Sequence, residues 1–261
     1  NKRDHVKAPG EYAKIMLPEL TFPYLIPGQE VLLDDGKIHL KIVEKAENVA
    51  ENGGENTQGK RYFAKVLWGG LLKSRKSAAL PGAKIYPPTL TNSDLANIKI
   101  AKEMGVTGVM QPFVRDHSDL ECVKEALREA GAEDIRLFAK IENMDGVRKL
   151  EELFPAADEI VIARGDLGNA VHLWDLPGVQ RQISEKCRAA GKPFMVVTQM
   201  LASMERSPVP TRAEVNDIFH AVMDGAASIM VTGETAVGDY PVEVIRYMVN
   251  TVRSAEKKEN R

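Results

Sequence analysis

The chain has 261 residues, of which 44% are hydrophobic and 28% are charged, and its formal net charge is −2. This composition is typical of a globular protein, and the small net charge gives no global field that would recruit nucleic acid or an anionic membrane. No apolar run reaches the roughly 18–20 residues of a membrane-spanning helix, and from the polar N-terminus we expect no secretory signal. Cys122 and Cys187 lie in helical patterns, which indicates reduced thiols. We therefore expect a cytoplasmic protein without nucleic-acid or membrane partners.

Residues 1–84 are predicted to form a small β-rich domain. Asp34-Asp35-Gly36 separates two runs of strand character, and Asp-Gly at such a place is a strong signal for a β-hairpin. Gly53-Gly54 marks a further turn, and no convincing helical period occurs in this part. The prolines at Pro87-Pro88 then indicate a hinge or linker.

Residues 85–261 alternate strand and helix patterns. Five short apolar runs predict strands, each followed by a helix, and three capping boxes predict helix starts: Thr91-x-x-Asp94, Ser118-x-x-Glu121 and Thr211-x-x-Glu214. The spacing is close to the roughly 30 residues of a βαβ unit, whose right-handed crossover makes the strands parallel. The predicted fold class is therefore α/β. Five units do not close an eight-stranded barrel, so a (β/α)8 barrel would be incomplete in this chain.

Two stretches carry the strongest chemical signal, and each follows an apolar run: Lys140-Ile141-Glu142-Asn143 and Ala163-Arg164-Gly165-Asp166-Leu167-Gly168. Residues two apart on a strand face the same side, so Lys140 and Glu142 are expected to point together. If the strands are parallel neighbours, Asp166 arrives at the same level. Two carboxylates with open oxygen positions suit Mg²⁺ or Mn²⁺, and the lysine supplies charge for a bound anion. The alternative is a surface Lys–Glu pair with a loop aspartate.

The candidate residues for chemistry all fall just past strand ends, where (β/α)8 barrels have their active sites: Arg115, Lys140, Glu142, Asp166, Thr198 and Glu234. Arg164 is interpreted as structural, with a buried ion pair to a helix carboxylate as the expected arrangement. His172 and Trp174 could touch a substrate, but surface aromatics are the more ordinary interpretation.

Six motifs in one order resemble the pyruvate kinase family from its fourth to its eighth barrel strand: Lys140-Ile-Glu-Asn143, Ala163-Arg-Gly-Asp-Leu-Gly168, Gly191-Lys-Pro193, Thr198-Gln-Met-Leu201, Pro210-Thr-Arg-Ala-Glu214 and Gly233-Glu-Thr-Ala236, which Gly238-Asp-Tyr-Pro241 follows. Upstream, Leu33-Asp-Asp-Gly36 and Leu80-Pro-Gly82 resemble the family's lid domain. The resemblance implies a barrel with a small inserted lid, and transfer of phosphate from phosphoenolpyruvate to ADP to give pyruvate and ATP.

The resemblance also implies roles for single residues. Glu142 and Asp166 match the ligands of the divalent cation, Mg²⁺ or Mn²⁺, and Lys140 matches the lysine that stabilises the transferring phosphoryl group and the enolate. Thr198 matches the threonine near the substrate carboxylate that is linked to enolate protonation, and the backbone amides of Gly165 and Asp166 would bind that carboxylate.

Lys76 aligns with a lid lysine that approaches the nucleotide phosphates, although a solvated lid edge explains it equally well. The family resemblance adds K⁺ as a candidate cofactor and a homo-oligomer as the expected assembly.

Several departures leave other functions open. The family's first two barrel strands, with an arginine for phosphoenolpyruvate and the monovalent-cation ligands, have no counterpart, and residues 4–11 match the third strand only loosely. We expect either that this chain is part of a longer protein or that another chain supplies the missing strands. The alternatives are a Mg²⁺-dependent lyase or aldolase acting on a 2-oxo acid through an enolpyruvate, and a non-catalytic relative that acts as a binding subunit.

Overall fold

The structure is a computed structural model that describes residues 13–34, 36–46, 61–74, 76–83 and 85–259. Its internal contacts divide the chain into two compact units, residues 1–87 and 88–261. The turn predicted at Gly53-Gly54 and the loose third-strand match at residues 4–11 lie outside the described residues.

The first unit contains a four-stranded antiparallel sheet in the order β3-β2-β1-β4. Its strands are β1 (Glu30–Leu33), β2 (Ile38–Lys45), β3 (Tyr62–Trp68) and β4 (Ala78–Ala79). The predicted hairpin is confirmed, because Leu33 pairs with Ile38 across the turn. A 3₁₀ turn at Glu19–Tyr24 precedes the sheet, and a small apolar core is formed by Leu25, Val31, Leu33, Ile38, Leu40, Ile42 and Leu80.

The second unit contains a five-stranded parallel sheet in the order β5-β6-β7-β8-β9. The strands are β5 (Gly108–Gln111), β6 (Arg136–Ile141), β7 (Glu159–Ala163), β8 (Phe194–Val197) and β9 (Ser228–Met230). The helices are α1 (Asn92–Ala101), α2 (His117–Glu129), α3 (Met144–Arg148), α4 (Leu150–Leu153), α5 (Arg164–Ala170), α6 (Leu176–Ala189), α7 (Arg212–Met223), α8 (Gly233–Ala236) and α9 (Pro241–Glu259). The predicted α/β class with a parallel sheet is confirmed.

The two faces of this sheet carry different side chains. Ile160 and Ile162 of β7 belong to the main core that the helices cover. Val161, which lies between them, forms a second cluster with Met195 and Val197, against which Phe138 and Met230 pack. Because side chains alternate along a strand, Lys140 lies on the same face as Phe138, near the carboxyl end of β6.

Two of the three predicted helix starts are confirmed. Thr91 and Thr211 each cap a helix and form the full capping box with the acidic residue three positions later. The start predicted at Ser118 is wrong, because α2 begins at His117 and its cap is Asp116. The Asp116 carboxylate accepts the backbone N–H of Ser118 at 3.1 Å, and this contact defines the helix start two residues earlier.

Cys122 lies in α2 and Cys187 in α6, and both are free thiols. Burial raises the pKa of the Cys187 thiol to about 12, so this thiol is not ionised at neutral pH. Within the described ranges, no helix is both long and apolar enough to cross a bilayer.

Candidate functional site

Lys140 and Glu142 lie together at the end of β6, as predicted. The sequence predicts that Lys140 follows the strand, but β6 continues to Ile141, so Lys140 lies inside the strand and Glu142 directly follows it. The Lys140 ammonium is 2.8 Å from Oε1 of Glu142. Glu142 is only 4% exposed, and its Oε2 accepts the backbone N–H of Phe113 at 2.8 Å. This buried carboxylate therefore has a cation on one oxygen and a hydrogen-bond donor on the other.

The donor on Glu142 comes from the loop after β5, which a tight contact holds in place. Asn143 donates through its side-chain amide to the Val114 carbonyl at 3.1 Å and accepts the backbone N–H of Gly146 at 2.9 Å. A Cβ on Gly146 would lie 2.5 Å from the Val114 carbonyl oxygen, so only glycine permits this approach. The loop and the start of α3 are therefore fixed together, and Phe113 takes a left-handed backbone conformation with φ of 53°.

Gly165 and Asp166 lie in the first turn of α5, which begins directly after β7. The prediction for Asp166 required that the strands before Glu142 and Asp166 be parallel neighbours. The structure meets this requirement, because β6 and β7 pair in parallel with Lys140 opposite Val161. Glu142 and Asp166 thus follow adjacent strands at the same edge of the sheet. This is the edge where parallel α/β sheets bind their ligands.

Thr198 follows β8 in an unusual conformation. Its φ is 84° and that of Gln199 is 54°, in the left-handed region that few non-glycine residues adopt. Each such residue costs about 1–3 kcal/mol, and a β-branched side chain is especially unfavourable there. A Cβ on Gly165 would lie 3.0 Å from Cγ2 of Thr198, so the threonine side chain lies directly against this glycine. The structure therefore brings Gly165 and Thr198 together.

Arg164 connects the start of α5 to the loop after β8. Its Nη1 donates to both carboxylate oxygens of Asp217 on α7, at 2.9 and 2.7 Å, which confirms the predicted pairing with a helix carboxylate. Its Nη2 donates to the Thr198 carbonyl at 2.7 Å, a contact that the sequence did not reveal. No local pattern indicated this contact, because it depends on the conformation of a loop from a different strand.

Arg115 and Glu234, both candidates for chemistry, make structural contacts within the fold, and their part in the chemistry stays a prediction. Arg115 binds the Asp119 carboxylate, with its Nε 2.9 Å from Oδ2. Burial opposes ionisation of Asp119, but hydrogen bonds from Arg115 and Thr89 outweigh it and lower the pKa of this carboxyl to about 2. Glu234 is 2% exposed and accepts the backbone N–H groups of Leu201 and Thr232, so it joins two loops.

Lys76 belongs to the first unit, where its ammonium lies 2.9 Å from Oδ1 of Asp34. This hydrogen bond lowers the pKa of the Asp34 carboxyl below its usual value. The nucleotide-binding role of Lys76 stays a prediction. His172 and Trp174, by contrast, stack on each other with ring centroids 4.7 Å apart, and Trp174 is 78% exposed, as expected of surface aromatics.

The residues available to a cation are few. In the part of the chain that the structure describes, no group of three or more His, Cys, Asp or Glu side chains could hold a metal ion. Glu142 and Asp166 would therefore need further oxygen ligands from water or from a substrate. That requirement fits Mg²⁺, which commonly binds one or two carboxylates and completes its shell with water and phosphate oxygens.

Known proteins resemble this chain over most of its length. The sequence profile described as "Pyruvate kinase, barrel domain" matches residues 7–245. The pyruvate kinase of Geobacillus stearothermophilus is 40% identical over 233 residues, which are 88% of this chain and 38% of that protein. The pyruvate kinase of Bacillus licheniformis is 38% identical over 89% of this chain and 38% of its own. That of Chlamydia trachomatis serovar D is 35% identical over 93% of this chain and 47% of its own.

The chain therefore spans less than half the length of these relatives. The profile nevertheless covers nearly all of the chain, including every residue of the Lys140, Asp166 and Thr198 loops. The chain belongs to the pyruvate kinase family.

Proposed function

We propose that the chain carries the cation and phosphoryl site of a pyruvate kinase, which transfers phosphate from phosphoenolpyruvate to ADP. The observation that carries this proposal is the ion pair between Lys140 and the buried Glu142, which lies at the carboxyl edge of a parallel sheet. The next strand along that edge leads directly into Asp166. Acid and base side chains at this edge are typical of α/β enzymes.

Each residue has a distinct task in this proposal. Glu142 and Asp166 bind Mg²⁺ or Mn²⁺, and the cation supplies positive charge that offsets the charge on the phosphoryl and enolate oxygens. Lys140, kept near these oxygens by Glu142, adds a second positive charge. Because the ammonium is already in position before phosphoryl transfer begins, no free energy is needed to reorient it during the reaction.

The remaining residues bind the three-carbon part of the substrate. The backbone amides of Gly165 and Asp166 bind its carboxylate, and the Thr198 hydroxyl oxygen lies 3.7 Å from the position that a Cβ on Gly165 would occupy. When the phosphorus–oxygen bond of phosphoenolpyruvate breaks and the bond to the terminal ADP oxygen forms, the enolate is left behind. Its methylene carbon then takes a proton, through Thr198 or a water that this hydroxyl orients.

We also propose the architecture that the resemblance implies. Residues 85–261 form part of a (β/α)8 barrel, and residues 1–84 form a small lid domain in which Lys76 approaches the nucleotide phosphates. Support comes from the strand order, because β5 to β9 are neighbours in chain order. A doubly wound sheet would reverse its order at a switch point, whereas a barrel does not.

The cellular setting follows from the same proposal. The substrates are phosphoenolpyruvate and ADP, the products are pyruvate and ATP, and the location is the cytoplasm. A requirement for K⁺ and association into a homo-oligomer stay predictions.

A coupled assay tests the function. The purified chain is mixed with phosphoenolpyruvate, ADP and Mg²⁺, and pyruvate is measured for wild type, Lys140→Met and the control Lys149→Met. Lys149 pairs with Asp116 and is 45% exposed, so its loss removes the same charge from a surface position. Pyruvate that depends on ADP and is lost only in Lys140→Met supports the proposal. Cleavage of a 2-oxo acid without nucleotide indicates the lyase, and no turnover favours either a non-catalytic relative or a chain that needs the missing strands for activity.

A further inference from the structure

The loop after β8 contains two strained residues in succession. Thr198 and Gln199 both have positive φ, 84° and 54°, and neither is glycine. Such conformations persist only where the surrounding structure determines them. Gln199 is exposed, so the packing of its own side chain contributes little.

One side chain holds the Thr198 peptide. The guanidinium of Arg164 donates to the Thr198 carbonyl at 2.7 Å and is itself fixed by both oxygens of Asp217. The Arg164 side chain is 14% exposed, so these charge-assisted bonds are largely shielded from water. The planar fork of arginine presents rigidly spaced donors to both acceptors, whereas lysine carries all its donors on one nitrogen at the end of a flexible stem.

The partner of Arg164 is itself firmly placed. Asp217 lies on α7, whose first turn is capped by Thr211 and Glu214. Glu214 also accepts the backbone N–H of Ser203 at 2.7 Å and its hydroxyl at 2.6 Å. The loop after β8 is therefore bound to α7 at two points, through Arg164 at Thr198 and through Glu214 at Ser203.

The held peptide determines the position of the Thr198 side chain. Cγ2 of Thr198 lies 3.0 Å from the position that a Cβ on Gly165 would occupy. Gly165 directly follows Arg164 in α5. The backbone of Arg164 thus begins the turn that presents the Gly165 amide, while its side chain holds the residue packed against that glycine.

We propose that Arg164 is a positioning residue, which holds the Thr198 carbonyl so that the threonine side chain stays against Gly165. Arg164 is not proposed to touch the substrate. The catalytic consequence rests on the proposed function, in which Thr198 assists protonation of the enolate, but the structural consequence does not.

The test separates the proton step from cation binding. Exchange of the pyruvate methyl hydrogens in D₂O with Mg²⁺ follows proton transfer without nucleotide, and a Mn²⁺ titration follows the cation. In Arg164→Met we expect exchange to fall roughly 10–100-fold, because small misplacements near the reacting atoms have effects of this size. Mn²⁺ affinity is expected to stay near that of wild type. Arg164→Lys keeps the charge without the fork, so its exchange rate is expected to fall between those of wild type and Arg164→Met.

Gln199→Gly provides a rescue. Glycine adopts positive φ without strain, so this change in the Arg164→Met background is expected to restore part of the exchange. Exchange that is unchanged in Arg164→Met overturns the proposal. If Arg164→Met does not fold, Asp217→Asn decides: the same loss of exchange with retained Mn²⁺ affinity supports the proposal, and unchanged exchange overturns it.

A second measurement needs no turnover. The Thr198 methyl group is expected to show a nuclear Overhauser effect to the Gly165 α-hydrogens in wild type, because the two groups are in contact. Loss of this effect in Arg164→Met, but not in Lys149→Met, supports the positioning role, and its retention overturns it. If wild type shows no methyl exchange at all, the proposed function fails, and this measurement alone decides the role of Arg164.

Discussion

The Lys140 ammonium lies 2.8 Å from Oε1 of Glu142, and the backbone N–H of Phe113 lies 2.8 Å from Oε2. The carboxylate that we propose as a cation ligand thus has a partner on each oxygen. A divalent cation bound to Glu142 would compete with the Lys140 ammonium for the negative charge of the Glu142 carboxylate. Stability and cation binding are therefore expected to be coupled at this pair.

Replacing Lys140 by Met tests this coupling. Removal of one partner leaves a buried carboxylate uncompensated, which costs about 3–5 kcal/mol in fully buried pairs, and we expect about 2–3 kcal/mol here. The lower value reflects the Lys140 side chain, which is 24% exposed. Mg²⁺ is expected to raise the unfolding midpoint of Lys140→Met more than that of wild type, because the cation replaces the lost charge.

Urea unfolding with and without Mg²⁺ gives the loss in unfolding free energy of Lys140→Met and the shift of its unfolding midpoint by the cation. The control Lys149→Met is expected to lose less than about 1 kcal/mol, since it breaks an exposed pair. An equal Mg²⁺ effect on Lys140→Met and wild type would show that Glu142 does not bind the cation.

Glu142→Gln tests the cation ligand directly. The amide keeps the volume of the side chain but removes the charge, so we expect Mn²⁺ affinity to fall by more than about tenfold. Glu151→Gln is the control, because Glu151 is 68% exposed and pairs with Lys186 away from β6. Calorimetric titration with Mn²⁺ measures both variants. Similar affinities in Glu142→Gln and Glu151→Gln would contradict the assignment.

The pH dependence of stability tests the Arg115–Asp119 pair. Because the pKa of folded Asp119 is lowered to about 2, against roughly 3.9 unfolded, its ionised form stabilises the fold above about pH 4. This contribution, about 2 kcal/mol, is lost as the pH falls from about 5 toward 2. The free-energy difference between wild type and Asp119→Asn is therefore expected to narrow over this range.

Urea unfolding at a series of pH values measures this difference. Asp134→Asn serves as the comparison, because Asp134 is 69% exposed in its pair with Lys102 and solvent screens that interaction. A difference for Asp119→Asn that does not change with pH would rule out the ionised pair.

The parts of the fold that the sequence predicts well depend on local patterns. Thr91 and Thr211 cap helices with acidic partners three residues away, and Lys140 and Glu142 share a face because strand side chains alternate. The predicted start of α2 was wrong because the residue that caps this helix is Asp116, two positions before Ser118. In each case the deciding contacts lie within a few residues.

The parts that escaped prediction depend on contacts between loops. Thr198 disfavours positive φ, so its sequence alone argues against the conformation that Arg164 supports. Phe113 reaches Glu142 through a backbone N–H, which carries no side-chain signal at all. Such contacts exist only after the parallel strands bring the loops together, and residue type says little about them.

The close approach of Gly146 to the Val114 carbonyl holds the loop that carries the Phe113 N–H, and one added methyl group is expected to break it. A Cβ on Gly146 would lie 2.5 Å from the Val114 carbonyl oxygen, and backbone cannot yield as a flexible side chain does. Gly146→Ala is therefore expected to destabilise the fold by about 1–3 kcal/mol, as overpacking commonly does. It is also expected to weaken Mn²⁺ binding, because the shifted loop carries the Phe113 N–H that orients Glu142. Gly178→Ala is the matched control.

Nothing lies within 4 Å of a Cβ on Gly178, which is in α6, so alanine there is expected to stabilise the helix by about 0.5–1 kcal/mol. Thermal unfolding measures the stability of both variants, and Mn²⁺ titration measures their affinity. If the close approach at Gly146 holds the loop, Gly146→Ala lowers the stability and Gly178→Ala raises it. Unchanged Mn²⁺ affinity in a destabilised Gly146→Ala would separate the two effects and remove Phe113 from the site. A parallel loss of stability and affinity would instead establish the loop after β5 as the support on which the Glu142 carboxylate depends.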